Sequence, residues 1–315
     1  MQTRMTSKLR ARLNGGEICV WSGAHDALSA RLVEEAGFDG VWASSFGISL
    51  SSRCVPDIDL VTVTETLDIV RNMVSAVSIP VIADCNAGFG NAINVMHMMR
   101  DFERAGVAGV CIEDNAFPKC CSLYDRDHRV LASREEMAGK IRAAVSARVD
   151  PDLVIIARVE SLIAGRGVAS ALRRAQAYAE AGADAVVVHS KTWDLLEQFL
   201  GVWDHRCPLV AIPTLYNHVS LADLTRYGYR IAIFPNQAIR AAVKAMRLTL
   251  KTLKETGVGR SVDSLTAPLS EINELAGLRE VEEAEAMFLP RPDSAEPPSY
   301  AVFGEPAQAD RRSTR

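Results

Sequence analysis

The chain has 315 residues, 48% of them hydrophobic and 23% charged, and 35 Lys and Arg against 39 Asp and Glu leave a formal charge of −4. This balance excludes disordered, collagen-like and disulfide-scaffold classes, and it offers no electrostatic footprint for nucleic acid. No apolar run reaches the ~18 residues of a membrane span, so neither a polyanion nor a membrane is the expected partner.

The first 16 residues carry Arg4, Lys8, Arg10 and Arg12 and no acid. A transit peptide has that composition, but Leu9 and Leu13 at helical spacing predict a short helix capping the fold. From Glu17 onward, short β-branched runs alternate with helical patterns, as in repeated βα units around a parallel sheet. Strands are predicted over Glu17–Ser22, Gly40–Ser44, Pro80–Asp84, Gly109–Asp114, Leu153–Glu160, Asp184–Ser190, Pro208–Thr214 and Arg230–Pro235. Their apolar residues are nearly continuous rather than alternating, which a sheet covered on both faces requires. Helices are predicted over Asp26–Ala36, Thr64–Val77, Ala92–Ala105, Arg134–Ala147, Val168–Ala181 and Ala238–Thr256. Several end in Ala-Gly, where glycine takes the left-handed conformation that closes a helix. Eight units favour a closed (β/α)8 TIM-type barrel over an open sheet, and no GxGxxG or GxxxxGK[ST] follows any strand.

The barrel is therefore expected over 1–256. Residues 257–289 should add C-terminal helices to the same domain, with Leu269, Ile272, Leu275, Leu278 and Val281 at helical spacing, and the proline-rich stretch 290–315 should be disordered. The seven cysteines, at 19, 54, 85, 111, 120, 121 and 207, form neither a CxxC pair nor a zinc spacing. Reduced thiols in the cytoplasm fit them best.

Active sites of such barrels gather where the strands end. There the chain places Trp42-Ala43-Ser44-Ser45-Phe46, Asp84-Cys85-Asn86, Glu113-Asp114-Asn115, Arg158 and Glu160, His189 and Ser190, and Asn236. Asp84 and Glu113 could converge on one hard cation, with Asn86 adding an amide oxygen or holding a water; carboxylates and water suit Mg²⁺ or Mn²⁺ better than zinc. Equally, the acids could pair with Arg158 or Lys119 as an ion-pair network. The Arg158 guanidinium can anchor a carboxylate or phosphoryl group, or bridge to Glu113 or Glu160. His189 could meet a ligand or be a satisfied core histidine. The stretch Lys119–Arg129 lacks periodicity, as a gating loop does. In it Lys119 could neutralise a phosphoryl group, while Cys121 could be an acid, a nucleophile or a small loop residue.

Five motifs on successive strands carry a resemblance: Asp84-Cys-Asn-Ala-Gly-Phe-Gly-Asn91, Glu113-Asp-Asn-Ala-Phe-Pro-Lys-Cys-Cys-Ser122, Ala157-Arg-Val-Glu160, Ile163-Ala-Gly165 and His189-Ser-Lys191. From about Gly23 to Pro290 the chain resembles the phosphoenolpyruvate mutase branch of the isocitrate lyase superfamily, with phosphonopyruvate hydrolase as a close alternative. The resemblance implies a barrel whose last helix is exchanged between subunits of a homodimer or homotetramer, with Mg²⁺ beneath a mobile loop. It implies that Trp42, Ser44, Ser45 and Phe46 frame the substrate carboxylate, that Asp84 is the direct metal ligand with Asn86 and Glu113 holding its water shell, and that Asp57 supports the site. Arg158 and His189 would then face the reacting groups, with Lys119, Cys121 and Ser122 closing over them. The implied reaction moves a phosphoryl group between the enol oxygen and carbon 3 of a pyruvyl unit. The family pattern has aspartate at Asn86, lysine at the substrate-side Asn115, and asparagine or threonine at Cys121. Carbon–carbon lyases of the superfamily place a catalytic cysteine at Cys121, but in a different surrounding motif. A barrel that only binds a partner is the remaining alternative.

Overall fold

Eight parallel strands close into a barrel in chain order: β1 (Cys19–Ala24), β2 (Gly40–Ala43), β3 (Val81–Asp84), β4 (Gly109–Glu113), β5 (Val154–Val159), β6 (Ala185–Val188), β7 (Leu209–Ala211) and β8 (Tyr229–Phe234), the last pairing with β1. This computed structural model describes residues 3–124 and 129–289. The barrel expectation holds, and each predicted strand is present with its ends shifted by at most three residues.

The alternation of side chains along each strand separates two apolar layers. Val154 and Ile156 of β5 point inward with Trp21, Trp42, Ile82 and Ile231, whereas Ile155 and Ala157 point outward. There they meet Met73, Met99, Phe102, Ile141 and Tyr178 from the surrounding helices. Both faces are dry, which is why the strand sequences read as unbroken apolar runs. Each Ile, Val or Leu so buried contributes about 1.5–3 kcal/mol.

The helices are α1 (Met5–Asn14), α2 (Ala27–Glu35), α3 (Ser45–Arg53), α4 (Val63–Ala76), α5 (Ala92–Arg104), α6 (Arg134–Ala147), α7 (Val168–Glu180), α8 (Trp193–Leu200), α9 (Leu221–Arg226) and α10 (Gln237–Thr256). As expected, α1 is a cap: Leu9 and Leu13 are fully buried in the barrel interior, Leu9 beside Gly109 at the start of β4. Helices α8 and α9 are too short for periodicity to reveal. Helix α3 corrects a strand boundary, because β2 stops at Ala43 and the Ser44 hydroxyl accepts the Gly47 N–H as an N-cap. Ser45 and Phe46 therefore open a helix instead of ending a strand.

The chain divides at Leu265–Thr266 into two compact units. The second contains α11 (Leu269–Leu275) and α12 (Leu278–Phe288), neither with a buried residue. The expected tail at 290–315, and residues 125–128 of the expected gating loop, lie outside the described residues. No helix among the described residues is long and apolar enough to cross a membrane, and all seven cysteines are free thiols.

Candidate active site

A cavity opens at the C-terminal ends of the strands, and all of the predicted site residues except Asn86 and Asn115 line it. Strand alternation explains the selection. Glu113, Arg158 and Glu160 turn inward, while Asp114 turns outward and joins β4, β5 and α7: its carboxylate accepts from the Glu160 N–H (2.8 Å), Arg174 (2.9 Å) and the Tyr178 hydroxyl (2.8 Å).

Two hydrogen-bonded groups face each other across the cavity. On one side the Lys119 ammonium donates to Asp57 (2.8 Å) and to the Ser45 hydroxyl (3.0 Å), whose oxygen lies 2.9 Å from Asp84 Oδ2. Asp84 Oδ1 accepts the Asn86 N–H at 3.2 Å. On the other side Arg158 reaches Glu160 (2.5 Å), the Ser122 hydroxyl (2.6 Å) and His189 Nδ1 (2.8 Å), and stands 3.7 Å from Glu113. The ion-pair alternative is thus met in part: Arg158 does pair with the acids of its own wall, but Lys119 chooses Asp57 over Asp84 and Glu113. Asn115 is a departure from its expected place at the substrate. It stands behind the cavity and donates to Glu113 Oε1 at 2.8 Å.

The loop after β4 is tied down at several points. Arg129 donates to the carbonyls of Cys120 (2.6 Å), Cys121 (2.7 Å) and Tyr124 (2.7 Å), and the Tyr124 hydroxyl accepts the Asp57 N–H (2.9 Å). Asp59 accepts the Lys119 N–H at 2.6 Å. Sequence reading missed Arg129, Asp59 and Tyr124, as well as Thr214 and Leu123, which line the cavity; no local pattern singles them out. Asn236, noted at the end of β8, lines it too.

The electrostatics show a surplus of negative charge. Burial pushes Glu113 up to about 7 despite the pull of Lys119 and Arg158. Glu160 is buried as deeply, yet Arg158, His189 and Ser122 outweigh that and hold it well below the usual range. Burial would lower Lys119, but Asp57, Glu113 and Asp84 raise it further. Burial and Arg158 hold His189 below its ordinary value. His189 Nδ1 lies 2.8 Å from Arg158, which can only donate, and 3.2 Å from Glu160 Oε1, which can only accept; the closer Arg158 contact assigns the ring proton to Nε2. That buried Nε2 has no partner among the described residues, so His189 is not a satisfied core histidine; it is a free donor at the cavity wall.

A divalent cation would offset the surplus. Asp84, Glu113 and the amide oxygen of Asn86 are hard donors, and Asn86 Oδ1 is buried without a partner among the described residues. No three His, Cys, Asp or Glu side chains cluster as a full ligand set among the described residues. The remaining positions would fall to water and ligand oxygens, as Mg²⁺ prefers. The residues present fit such an ion.

Burial, and next Asp57, push the Cys121 thiol up to about 12. A nucleophile must be a thiolate, so at neutral pH Cys121 is a neutral wall. Iodoacetamide at pH 8 is expected to alkylate the exposed Cys54 and to spare Cys121 in peptide mass mapping. Comparable labelling of the two would contradict this.

Comparison with known proteins agrees with the geometry. The profile of the family described as Phosphoenolpyruvate phosphomutase matches residues 9–254. A phosphonopyruvate hydrolase of Variovorax sp. (strain Pal2) is 44% identical over 286 residues, covering 89% of this chain and 98% of that protein. The crystal structure of a phosphoenolpyruvate phosphomutase from Streptomyces platensis subsp. rosaceus superposes with a TM-score of 0.88 at 42% identity, covering 90% of this chain and 99% of the other. A phosphonopyruvate hydrolase in complex with oxalate and Mg²⁺ gives 0.86 at 42% identity, with 91% and 100% covered.

Proposed function

The chain belongs to the phosphoenolpyruvate phosphomutase family, and on that premise we propose that it interconverts phosphoenolpyruvate and phosphonopyruvate. The observation that carries this reading is the closed loop: Lys119, Cys121 and Ser122 are only 4%, 7% and 3% exposed, and they roof the cavity between the Asp84 and Arg158 walls.

In the reaction the bond from phosphorus to the enol oxygen breaks and a bond from phosphorus to carbon 3 forms, with no net proton transfer. The transferring PO₃ unit is loose and metaphosphate-like, so the protein's task is to position it and to offset its charge. Arg158 and the Nε2–H of His189 face it from one wall and Lys119 from the other. The N–H groups that open α3, at Ser45 and Phe46, suit the substrate carboxylate. Mg²⁺, for which Asp84, Asn86 and Glu113 offer oxygens, would supply positive charge to the pyruvyl oxygen, and Mn²⁺ suits the same donors. The roof of Cys121 and Leu123 excludes water, which would otherwise divert the phosphoryl group to free phosphate. A neutral thiol at position 121 also cannot act as a base on that water.

The second reading is phosphonopyruvate hydrolase, favoured by the 44% identical relative. Incubation of the protein and Mg²⁺ with phosphonopyruvate, followed by ³¹P NMR, separates the two. Growth of a phosphoenolpyruvate signal is expected; free phosphate alone would establish the hydrolase, and an unchanged spectrum would refute both.

A dimer or tetramer with its last helix exchanged is part of the proposal. Helix α10 buries only Ile239 and leaves Met246, Leu250 and Leu253 exposed at i, i+4, i+7 spacing, an apolar face that a second subunit would cover. Light scattering is expected to give at least twice the chain mass, and a monomer at micromolar concentration would exclude it.

A further inference from the structure

Arg129 takes no part in the chemistry described above, yet it is a cation buried to 7% exposure against neutral main-chain carbonyls. Its Nη1 donates to Cys120 at 2.6 Å, and its Nη2 to Cys121 and Tyr124, each at 2.7 Å. A guanidinium withdrawn from water must have its N–H groups satisfied, and bonds from an ionised donor are about twice as strong as neutral ones. A planar fork meets three carbonyls at once, which the point charge of a lysine does not.

The two sides of this contact differ in how they are held. The residues after Arg129 are fixed to the barrel: the Ala116 N–H donates to Val130 (3.0 Å), Asn115 bridges to Leu131, and the Ala132 N–H donates to Asp114 (3.0 Å) just beyond β4. The roof from Cys120 to Tyr124 belongs to neither helix nor strand, and the Tyr124 N–H to the Cys121 carbonyl (3.1 Å) makes a turn of it. Backbone groups without a ladder to join need side-chain partners. Arg129 is such a partner, and it grips both peptide groups that flank Cys121.

We propose that Arg129 is a positioning residue: it clasps Cys121, Ser122 and Leu123 over the cavity and thereby decides how the phosphoryl group is captured. This rests on the mutase reading given above. Once the bond from phosphorus to carbon 3 of phosphonopyruvate has broken, the PO₃ unit passes to the enol oxygen or to water. Capture by water gives phosphate, and a proton of that water ends on carbon 3 to give pyruvate. A closed clasp keeps water from phosphorus, and an opened one admits it.

The test reads the loop without substrate and the products with it, on the full chain and on Arg129→Ala, with circular dichroism to confirm folding. In peptide mass mapping after iodoacetamide, Cys121 of Arg129→Ala is expected to be alkylated at least about tenfold faster than in wild type, the effect of losing even one bond from a charged donor. With Mg²⁺ and phosphonopyruvate, ³¹P NMR should show the ratio of phosphate to phosphoenolpyruvate rising by roughly the same factor. That ratio does not depend on how much of the protein is folded, so lost stability alone leaves it unmoved. Unchanged Cys121 labelling in folded Arg129→Ala would overturn the proposal. So would faster labelling with an unchanged product ratio, since the clasp would then serve the loop alone. If Arg129→Ala does not fold, Arg129→Lys, which keeps the charge and loses the fork, is judged by the same two readings. Wild-type conversion to phosphate alone, or no conversion, would refute the mutase reading itself, and the clasp would then stand or fall on the labelling of Cys121.

Discussion

Arg158→Ala is expected to abolish turnover, by roughly 10³-fold or more, because it removes the donor that faces the transferring group on one wall. The same change should destabilise the fold by about 3–5 kcal/mol. Glu160 is fully buried and keeps its charge largely through the Arg158 guanidinium, which approaches it to 2.5 Å. Without Arg158 that carboxylate must take up a proton or draw in water, and His189 Nδ1 and the Ser122 hydroxyl lose a donor. Arg158→Lys separates the two effects. It retains a positive charge near Glu160 and hence most of the stability, but an ammonium cannot serve Glu160, Ser122 and His189 at once from a planar fork. Steady-state rates and thermal unfolding of both variants check this. Near-normal turnover in Arg158→Ala would remove Arg158 from the site's chemistry.

Gly23→Ala should be the most damaging small change in the barrel wall. A methyl group there would lie 1.9 Å from the Pro235 carbonyl oxygen and 2.4 Å from its carbon. This is backbone, not the end of a flexible side chain, and it follows β8 directly where β8 pairs with β1, as in Ser22 against Phe234. To make room the seam that closes the barrel must open beside Asn236 and the cavity. Overpacking of this kind costs about 3 kcal/mol or more. For a domain of this size that lowers the melting temperature by roughly 6–12 °C. A variant that melts within 2 °C of wild type would show that the seam yields more easily than this packing allows.

These two residues also mark how far the sequence could be read. Arg158 was legible, since a strand that runs Val-Ile-Ile-Ala-Arg-Val-Glu must end among apolar neighbours, where an arginine is rarely tolerated without a task. Gly23 was not: nothing in Trp-Ser-Gly-Ala announces that a carbonyl more than two hundred residues away will occupy the space of its side chain. Ser44, Ser45 and Phe46 were found as site residues but assigned to a strand end, because an N-cap and the first two residues of a helix show no period. Asp59 and Arg129 escaped notice because each acts on backbone groups of other segments, and such contacts leave no local pattern.

The sequence by itself determined the closed barrel and the family. Continuous apolar strands must be covered on both faces, and parallel strands bring their C-terminal ends, with the polar residues there, to one mouth. The tertiary structure alone decided which charges pair, as when Lys119 joins Asp57 rather than Asp84 or Glu113. It alone decided that burial raises the Cys121 thiol, and that His189 Nε2 and Asn86 Oδ1 stand buried without a partner among the described residues. The reason is physical. Strand and helix patterns arise from neighbours along the chain, whereas protonation and ion pairing depend on distance through space and on how completely water has been removed.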